Sequence, residues 1–237
     1  MKIHRFIGTF NLSPEYTDIT DREIAHQITR VLRLKSGEPI VLCDGKGNEA
    51  DAVIVTPDTD KVHVRITDRH ASTSEPKTHV TLYCAILKRE NFELAVQKAV
   101  EVGISEIVPL ITARTIKLDF KRERMEKIIR EAAELSGRGI LPVLHEPKKL
   151  PAAITDAERQ DISFAFELHA DPFRSLFKKW PSWKNAGCFI GPEGGWDDDE
   201  LSSFDDAGIR IAGLGDLTFR AETAAIVASY LVCHTHD

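Results

Sequence analysis

After Pro76 the spacing of apolar residues changes, and that change limits the folds open to the chain. Beyond it, short apolar runs alternate with segments whose apolar residues recur at helical spacing. Residues 81–87 and 107–111 read as strands. Between them Phe92, Ala95, Val96, Ala99 and Val100 form a helical stripe that Gly103 stops. A long charged helix is expected over about 120–136, further strands at 162–166, 187–190 and 209–214, and helices around 173–179, 198–207 and 221–232. Strands separated by helices bury both of their faces in a mainly parallel sheet with helices on each side, so this part is α/β.

The part before Pro76 is mostly β. Residues 39–43 are apolar, Asp44-Gly45-Lys46-Gly47 signals a turn, and alternation resumes at Ala50, Ala52 and Ile54, which predicts a hairpin. Val62, Val64 and Ile66 continue it. One helix intervenes, with Thr20 as N-cap, Glu23 completing a capping box, and Ile24, Ile28, Val31 and Leu32 on the apolar stripe. A small barrel carrying one helix fits this pattern. Residues 70–77, HASTSEPK, read as an interdomain linker.

The formal charge of −6 excludes a protein that holds nucleic acid by bulk electrostatics. Residues 1–75 carry 10 basic and 12 acidic side chains, so no basic domain hides in the total and any RNA site must be a local patch. Cys43, Cys84, Cys188 and Cys233 stand singly in apolar runs, without the paired spacing of zinc or redox sites, and are expected as reduced core thiols. The Cys233, His234, His236 group is expected to be a frayed tail, and no metal is expected. No run reaches the roughly 18–20 apolar residues of a membrane span, and MKIHRF lacks the apolar core of a signal peptide, so a cytoplasmic protein is expected.

Chemistry concentrates in two strand-to-helix turns. IGPEGGW (190–196) leaves a short strand and enters a helix announced by Asp197, Asp198, Asp199 and Glu200, and its glycines let backbone approach a ligand. LGDLTFRAETAA (214–225) repeats the strand, loop, helix arrangement, with Glu222 or Thr223 placed for capping. Neither is the dinucleotide fingerprint G-x-G-x-x-G or a P-loop.

Taken together, the two turns closely resemble the RsmE family of SPOUT methyltransferases. The likeness extends through MKIHRF, through His26 with Arg30-Val31-Leu32-Arg33, and through Lys88, Glu93, Gln97-Lys98, Glu101-Val102-Gly103 and Pro109 to Arg114 and EAAELSGR (131–138). It implies a PUA-like RNA-binding β-barrel over 1–73 and, over 76–237, a SPOUT domain with a deep trefoil knot. It also implies a homodimer that transfers a methyl group from S-adenosyl-L-methionine to N3 of a specific uridine in the 16S RNA of the small ribosomal subunit. The cofactor residues so implied are Leu168, Gly191, Pro192, Glu193, Gly194, Gly195, Leu214, Gly215, Leu217, Thr218 and Phe219, in a pocket whose first wall is the loop Glu167-Leu168-His169. Arg220 and Glu222 are the catalytic candidates. Arg5, His26, Arg30, Arg33, Lys88, Arg114 and Arg138 are the candidate RNA contacts, while Lys121, Arg122, Arg124, Lys127 and Arg130 read as a solvated helix face. Leu135 and Leu217 depart from the glutamine and arginine common in the family. A knotted methyltransferase acting on another RNA position, and a non-catalytic RNA-binding assembly factor, are the competing readings.

Overall fold

The computed structural model describes residues 3–116, 120–176 and 182–235. The chain divides into two compact units, residues 1–75 with 133–141, and residues 76–132 with 142–237.

The first unit contains β1 (His4–Ile7), β2 (Tyr16–Ile19), α1 (Arg22–His26), β3 (Pro39–Cys43), β4 (Asn48–Pro57) and β5 (Val62–Ala71). The sheet order is β1-β3-β4-β5-β2, with β1 parallel to β3 and the other pairs antiparallel. The expected hairpin joins β3 to β4, and Gly45 and Gly47 in its turn have φ of 71° and 98°, which glycine adopts without steric cost. Alternation sends Ile40, Leu42, Ala50, Ala52, Ile54, Val62 and Val64 into one core with Phe6, Ile19, Ile24 and Ile28. Each large apolar side chain so buried contributes about 1.5–3 kcal/mol.

The helix departs from its expected form. Asp21, not Thr20, is the N-cap, its Oδ1 accepting from the backbone N–H groups of Glu23 at 2.9 Å and Ile24 at 3.2 Å. After α1 the chain makes a π-turn over Gln27–Val31, closed by the Leu32 N–H on the Gln27 carbonyl at 2.9 Å. The extra residue shifts the phase of the stripe. Val31 is therefore 64% exposed, while Leu32 packs on the core.

The expected linker is shorter than 70–77, because His70 and Ala71 pair in β5 opposite Glu49 and Asn48. Glu75 is held too. Its carboxylate accepts from the Gly139 and Ile140 N–H groups, each at 3.0 Å, and from Arg138 at 2.7 Å.

The second unit contains β6 (His79–Ala85), α2 (Arg89–Glu101), β7 (Glu106–Ile111), β8 (Val143–Leu144), β9 (Lys148–Lys149), α4 (Leu150–Ala157), β10 (Ile162–Phe166), α5 (Phe173–Leu176), β11 (Asn185–Ile190), α6 (Asp198–Asp206), β12 (Arg210–Ala212) and α7 (Ala221–His234), while α3 (Arg122–Ser136) runs from this unit into the segment counted with the first. The sheet order is β12-β10-β11-β6-β7-β8, with β9 also on β7, and every pairing is parallel. Its register sets Ala165, Phe189, Tyr83 and Val108 in one row, which packs with Leu150 and Ala153 of α4 and Phe204 of α6. The opposite face is covered by α7, which packs on β6, β11 and α2. Helix α4 and strands β8 and β9 are unanticipated, being too short for periodicity to reveal. Of the helix expected at 173–179, residues 177–179 lie outside those described, as does His236.

All four cysteines are buried and outside any disulfide. Burial pushes the Cys43 and Cys84 thiols up to about 12, so both stay neutral and unreactive at physiological pH. Among the described residues no helix is long and apolar enough to cross a membrane, and no group of three His, Cys, Asp or Glu side chains is placed to hold a metal. The charged face of α3 is not simply solvated. Arg124 reaches Glu93 at 2.8 Å, and Arg122 pairs with Glu146 at 2.8 Å and Glu126 at 3.0 Å.

Candidate functional site

Because the sheet of the second unit is parallel, the carboxyl ends of β6, β7, β10, β11 and β12 share one edge, where an open α/β sheet places its ligands. A cavity of about 740 Å³ opens there. Phe166, Glu167 and Leu168 line it from the end of β10, residues 190–196 from the end of β11, and Leu214, Gly215 and residues 217–219 after β12. Arg220, Ala221, Glu222 and Ala224 of the following helix start, with Lys88 and Asn91 after β6, complete it.

The turn after β11 is held from three directions. Trp196, 4% exposed, donates its indole N–H to the Phe166 carbonyl at 3.1 Å, joining the turn to the end of β10. Arg114, in the loop after β7, donates through Nη1 to the carbonyls of Gly194 at 2.8 Å and Trp196 at 2.9 Å. The Glu193 carboxylate accepts from the Lys88 N–H at 3.1 Å, which adds the end of β6. Below the turn, Asp197 and Glu200 form a capping box on α6, and the second oxygen of Glu200 accepts from the Ala113 N–H at 2.9 Å. Acidic residues at this helix start thus serve two jobs, capping α6 and gripping the loop after β7.

These contacts explain the glycines differently from backbone approach to a ligand alone. A Cβ on Gly191 would meet the Trp196 ring at 3.1 Å, and one on Gly194 would meet the Arg114 stem at 3.4 Å. Gly195 has φ of 71°, a left-handed conformation that disfavours any side chain. At Gly191 the missing side chain makes room for an indole from within the protein, whereas a Cβ at Gly194 would make ordinary contact with the Arg114 stem.

The start of α7 lacks a side-chain cap. Arg220 occupies the N-cap position without a side-chain hydrogen bond to the helix, so neither Glu222 nor Thr223 performs the capping that the sequence alone allows. Glu222 is 6% exposed, and its Oε2 has no hydrogen-bond partner among the described residues. A buried carboxylate oxygen left so is expensive unless a ligand supplies a donor.

All eleven cofactor candidates line this one cavity, as do Lys88, Arg220 and Glu222, whereas His169, with φ of 82°, does not. The RNA candidates separate. His26 at the end of α1, Arg30 in the π-turn and Arg33 just after it are exposed, and Arg33 takes a left-handed φ of 55°. Arg5 is turned inward, 2.6 Å from buried Glu49, and donates to the Cys43 sulfur at 3.0 Å. Arg138 is likewise committed, its side chain 5% exposed against Glu75. Arg5 and Arg138 are thus engaged in ion pairs within the protein, with Glu49 and Glu75, whereas His26, Arg30 and Arg33 are open to solvent. Sequence reading missed Asn91, Phe166, Trp196, Ala221 and Ala224 as lining residues. Trp196 could have been found, since it directly follows the glycine pair of a motif already singled out.

Comparison with known proteins gives the class first. Residues 73–232 match the model of the RNA methyltransferase domain, and residues 19–67 match that of the RNA methyltransferase PUA domain. Two relatives are the ribosomal RNA small subunit methyltransferases E of Mesomycoplasma hyopneumoniae (strain 232), 33% identical over 76% of this chain and 79% of that protein, and of Bacillus subtilis (strain 168), 28% identical over 89% and 86%. The chain belongs to the ribosomal RNA small subunit methyltransferase E family. Among solved structures it is similar to the enzyme of that name from Neisseria gonorrhoeae bound to S-adenosyl methionine, with 27% identity, TM-score 0.87 and 98% of each chain covered. It is also similar to a methyltransferase from Legionella pneumophila in complex with the same cofactor, with 27% identity, TM-score 0.88, and 98% and 97% covered.

Proposed function

We propose that this protein transfers a methyl group from S-adenosyl-L-methionine to N3 of one uridine in the 16S RNA of the small ribosomal subunit. The observation that carries the reading is the single cavity in which both motif turns meet at the carboxyl edge of a parallel sheet. The pocket suits the cofactor. Its size falls within the roughly 300–1,000 Å³ of small-molecule sites. Phe166, Leu168, Ile190, Leu214 and Phe219 offer apolar contact, the turn at 191–195 offers backbone groups, and Glu167 and Glu193 complement a cationic ligand.

When bound, the cofactor supplies an electrophilic methyl group carried on sulfur. The protein's own work is to bring an unpaired uracil to that group and to manage charge. Arg220, exposed at the mouth, would pair with a uracil oxygen or an adjacent phosphate, and it stays protonated, so it acts as a donor and never as a base. His26, Arg30, Arg33 and Lys88 would supply the local basic contacts that an overall charge of −6 withholds. We assign residues 1–73 to a PUA-like RNA-binding barrel and 76–237 to a SPOUT domain with a trefoil knot. The order β12-β10-β11-β6, with α7 returning to pack on β11 and β6, supports a chain path of that kind. A homodimer through the exposed part of α7, which includes Tyr230 at 55% exposure, completes the reading.

Calorimetry with S-adenosyl-L-methionine tests the cofactor assignment. Binding is expected to be unchanged by a chelator and lost in Gly195→Val, where a β-branched side chain cannot hold the positive φ. Normal affinity in a folded Gly195→Val protein would place the cofactor elsewhere.

A further inference from the structure

We propose that Glu222 is the group that takes the imide proton of the target uracil, an inference that rests on the function proposed above. In neutral uracil the electron pair that must attack is held in the N3–H bond. The proton therefore has to leave before or during methyl transfer, and a base must be within reach of it.

The cavity narrows the choice of acceptor. Its ionisable lining side chains are Lys88, Glu167, Glu193, Arg220 and Glu222. Lysine and arginine are donors when protonated. Glu193 is exposed and already accepts from the Lys88 N–H. Glu167 is half-buried. Glu222 is the buried one, and its Oε2 is the cavity-lining residue's orphan atom, closed off from water with no donor among the described residues. An oxygen in that state is made whole by an N–H brought in with a ligand.

Two ligand donors compete for it, the ammonium of the cofactor and the N–H of the base. Position favours the base. Glu222 lies two residues after Arg220, on the first turn of α7 and beyond the wall at 214–219, so the proton acceptor and the cation that steadies the resulting anion rise from one helix start. In the step itself the N3–H bond breaks and its proton passes to a Glu222 oxygen. The electron pair left on N3 forms the new bond to the methyl carbon, and the carbon–sulfur bond breaks with its pair remaining on sulfur.

The test is Glu222→Gln, which keeps the shape and removes the basicity, assayed on small subunits carrying either uridine or 5-fluorouridine, whose imide proton is more acidic. Calorimetric affinity for S-adenosyl-L-methionine should stay within about twofold of wild type. Single-turnover methylation near neutral pH should fall by roughly a hundredfold or more, on the scale of a lost general base. The residual rate should rise steeply with pH, and 5-fluorouridine should restore much of it. If Glu222→Gln fails to fold, Glu222→Ala with added formate replaces it, and recovery of rate by formate is the expected result. Loss of cofactor affinity, an unchanged rate, or a defect indifferent to pH and to fluorination overturns the proposal. Wild type in the same assay guards the underlying reading: a product other than N3-methyluridine sinks that reading, whereas the normal product with an unimpaired Glu222→Gln sinks only the role given to Glu222.

Discussion

Arg114 sits at an exposed position, yet its guanidinium is engaged with two carbonyls of the turn at 190–196, a contact that suits a positioning role. Hydrogen bonds from a charged donor are worth about 1.5–3 kcal/mol each when shielded and less when exposed. Arg114→Ala is therefore expected to weaken S-adenosyl-L-methionine binding by about tenfold while leaving the salt dependence of RNA binding as it was. Arg114→Lys should recover part of the loss, because a flexible ammonium is not held by a rigid planar group at the place where Nη1 bridges both carbonyls. A reduced salt slope with normal cofactor affinity would return Arg114 to the RNA face. Arg220 carries the opposite expectation. Its alanine variant should bind cofactor normally but methylate roughly a hundredfold more slowly in single turnover, on the scale of one preorganised charge-stabilising donor. A defect confined to cofactor affinity would contradict that. The sequence made the cavity's residues legible because two glycine-bearing turns announced themselves. It did not separate Arg114 and Arg138 from Arg30 and Arg33, since an arginine that braces a loop and one that faces solvent have the same local signature, and only tertiary partners such as Gly194 or Glu75 distinguish them.

At the scale of elements, the edge of the sheet away from the cavity is tied together by one carboxylate. Glu106 at the start of β7 accepts from His79 of β6 at 2.8 Å, from His145 after β8 at 2.6 Å and from Arg159 after α4 at 2.8 Å. Burial pushes the Glu106 carboxyl up, but the bonds from His79 and His145 and the charge of Arg159 outweigh it and hold it below its usual range. A depressed native pKa contributes stability above the unfolded value, and that contribution is lost as pH falls through the native one. The difference in melting temperature between wild type and Glu106→Gln should thus be full near neutral pH and shrink below about pH 4. A gap that stays constant into acid would show that the carboxylate's charge is not what joins these strands. Elements with strong periodicity, such as α2 and α3, were legible in the sequence. Those missed are short, β8 and β9 above all, or were displaced by one residue where the π-turn put Val31 into solvent.

For the molecule as a whole, the order of strands could not be read from periodicity, because apolar runs report that strands are buried and not which neighbours they take. Strand β12 lies beside β10, and β6 lies between β11 and β7, so the chain crosses over intervening strands. Those crossings bring turns that are far apart in sequence to one pocket, and the account stands on what that pocket does. The direct measurement uses methyl-labelled S-adenosyl-L-methionine with the purified protein and small ribosomal subunits from cells that lack it, followed by nuclease digestion and identification of the labelled nucleoside by mass spectrometry. The account predicts label in N3-methyluridine at a single position of the 16S RNA. Label in a ribose-methylated nucleoside, or no label from a protein that binds the cofactor and the subunit, would contradict it.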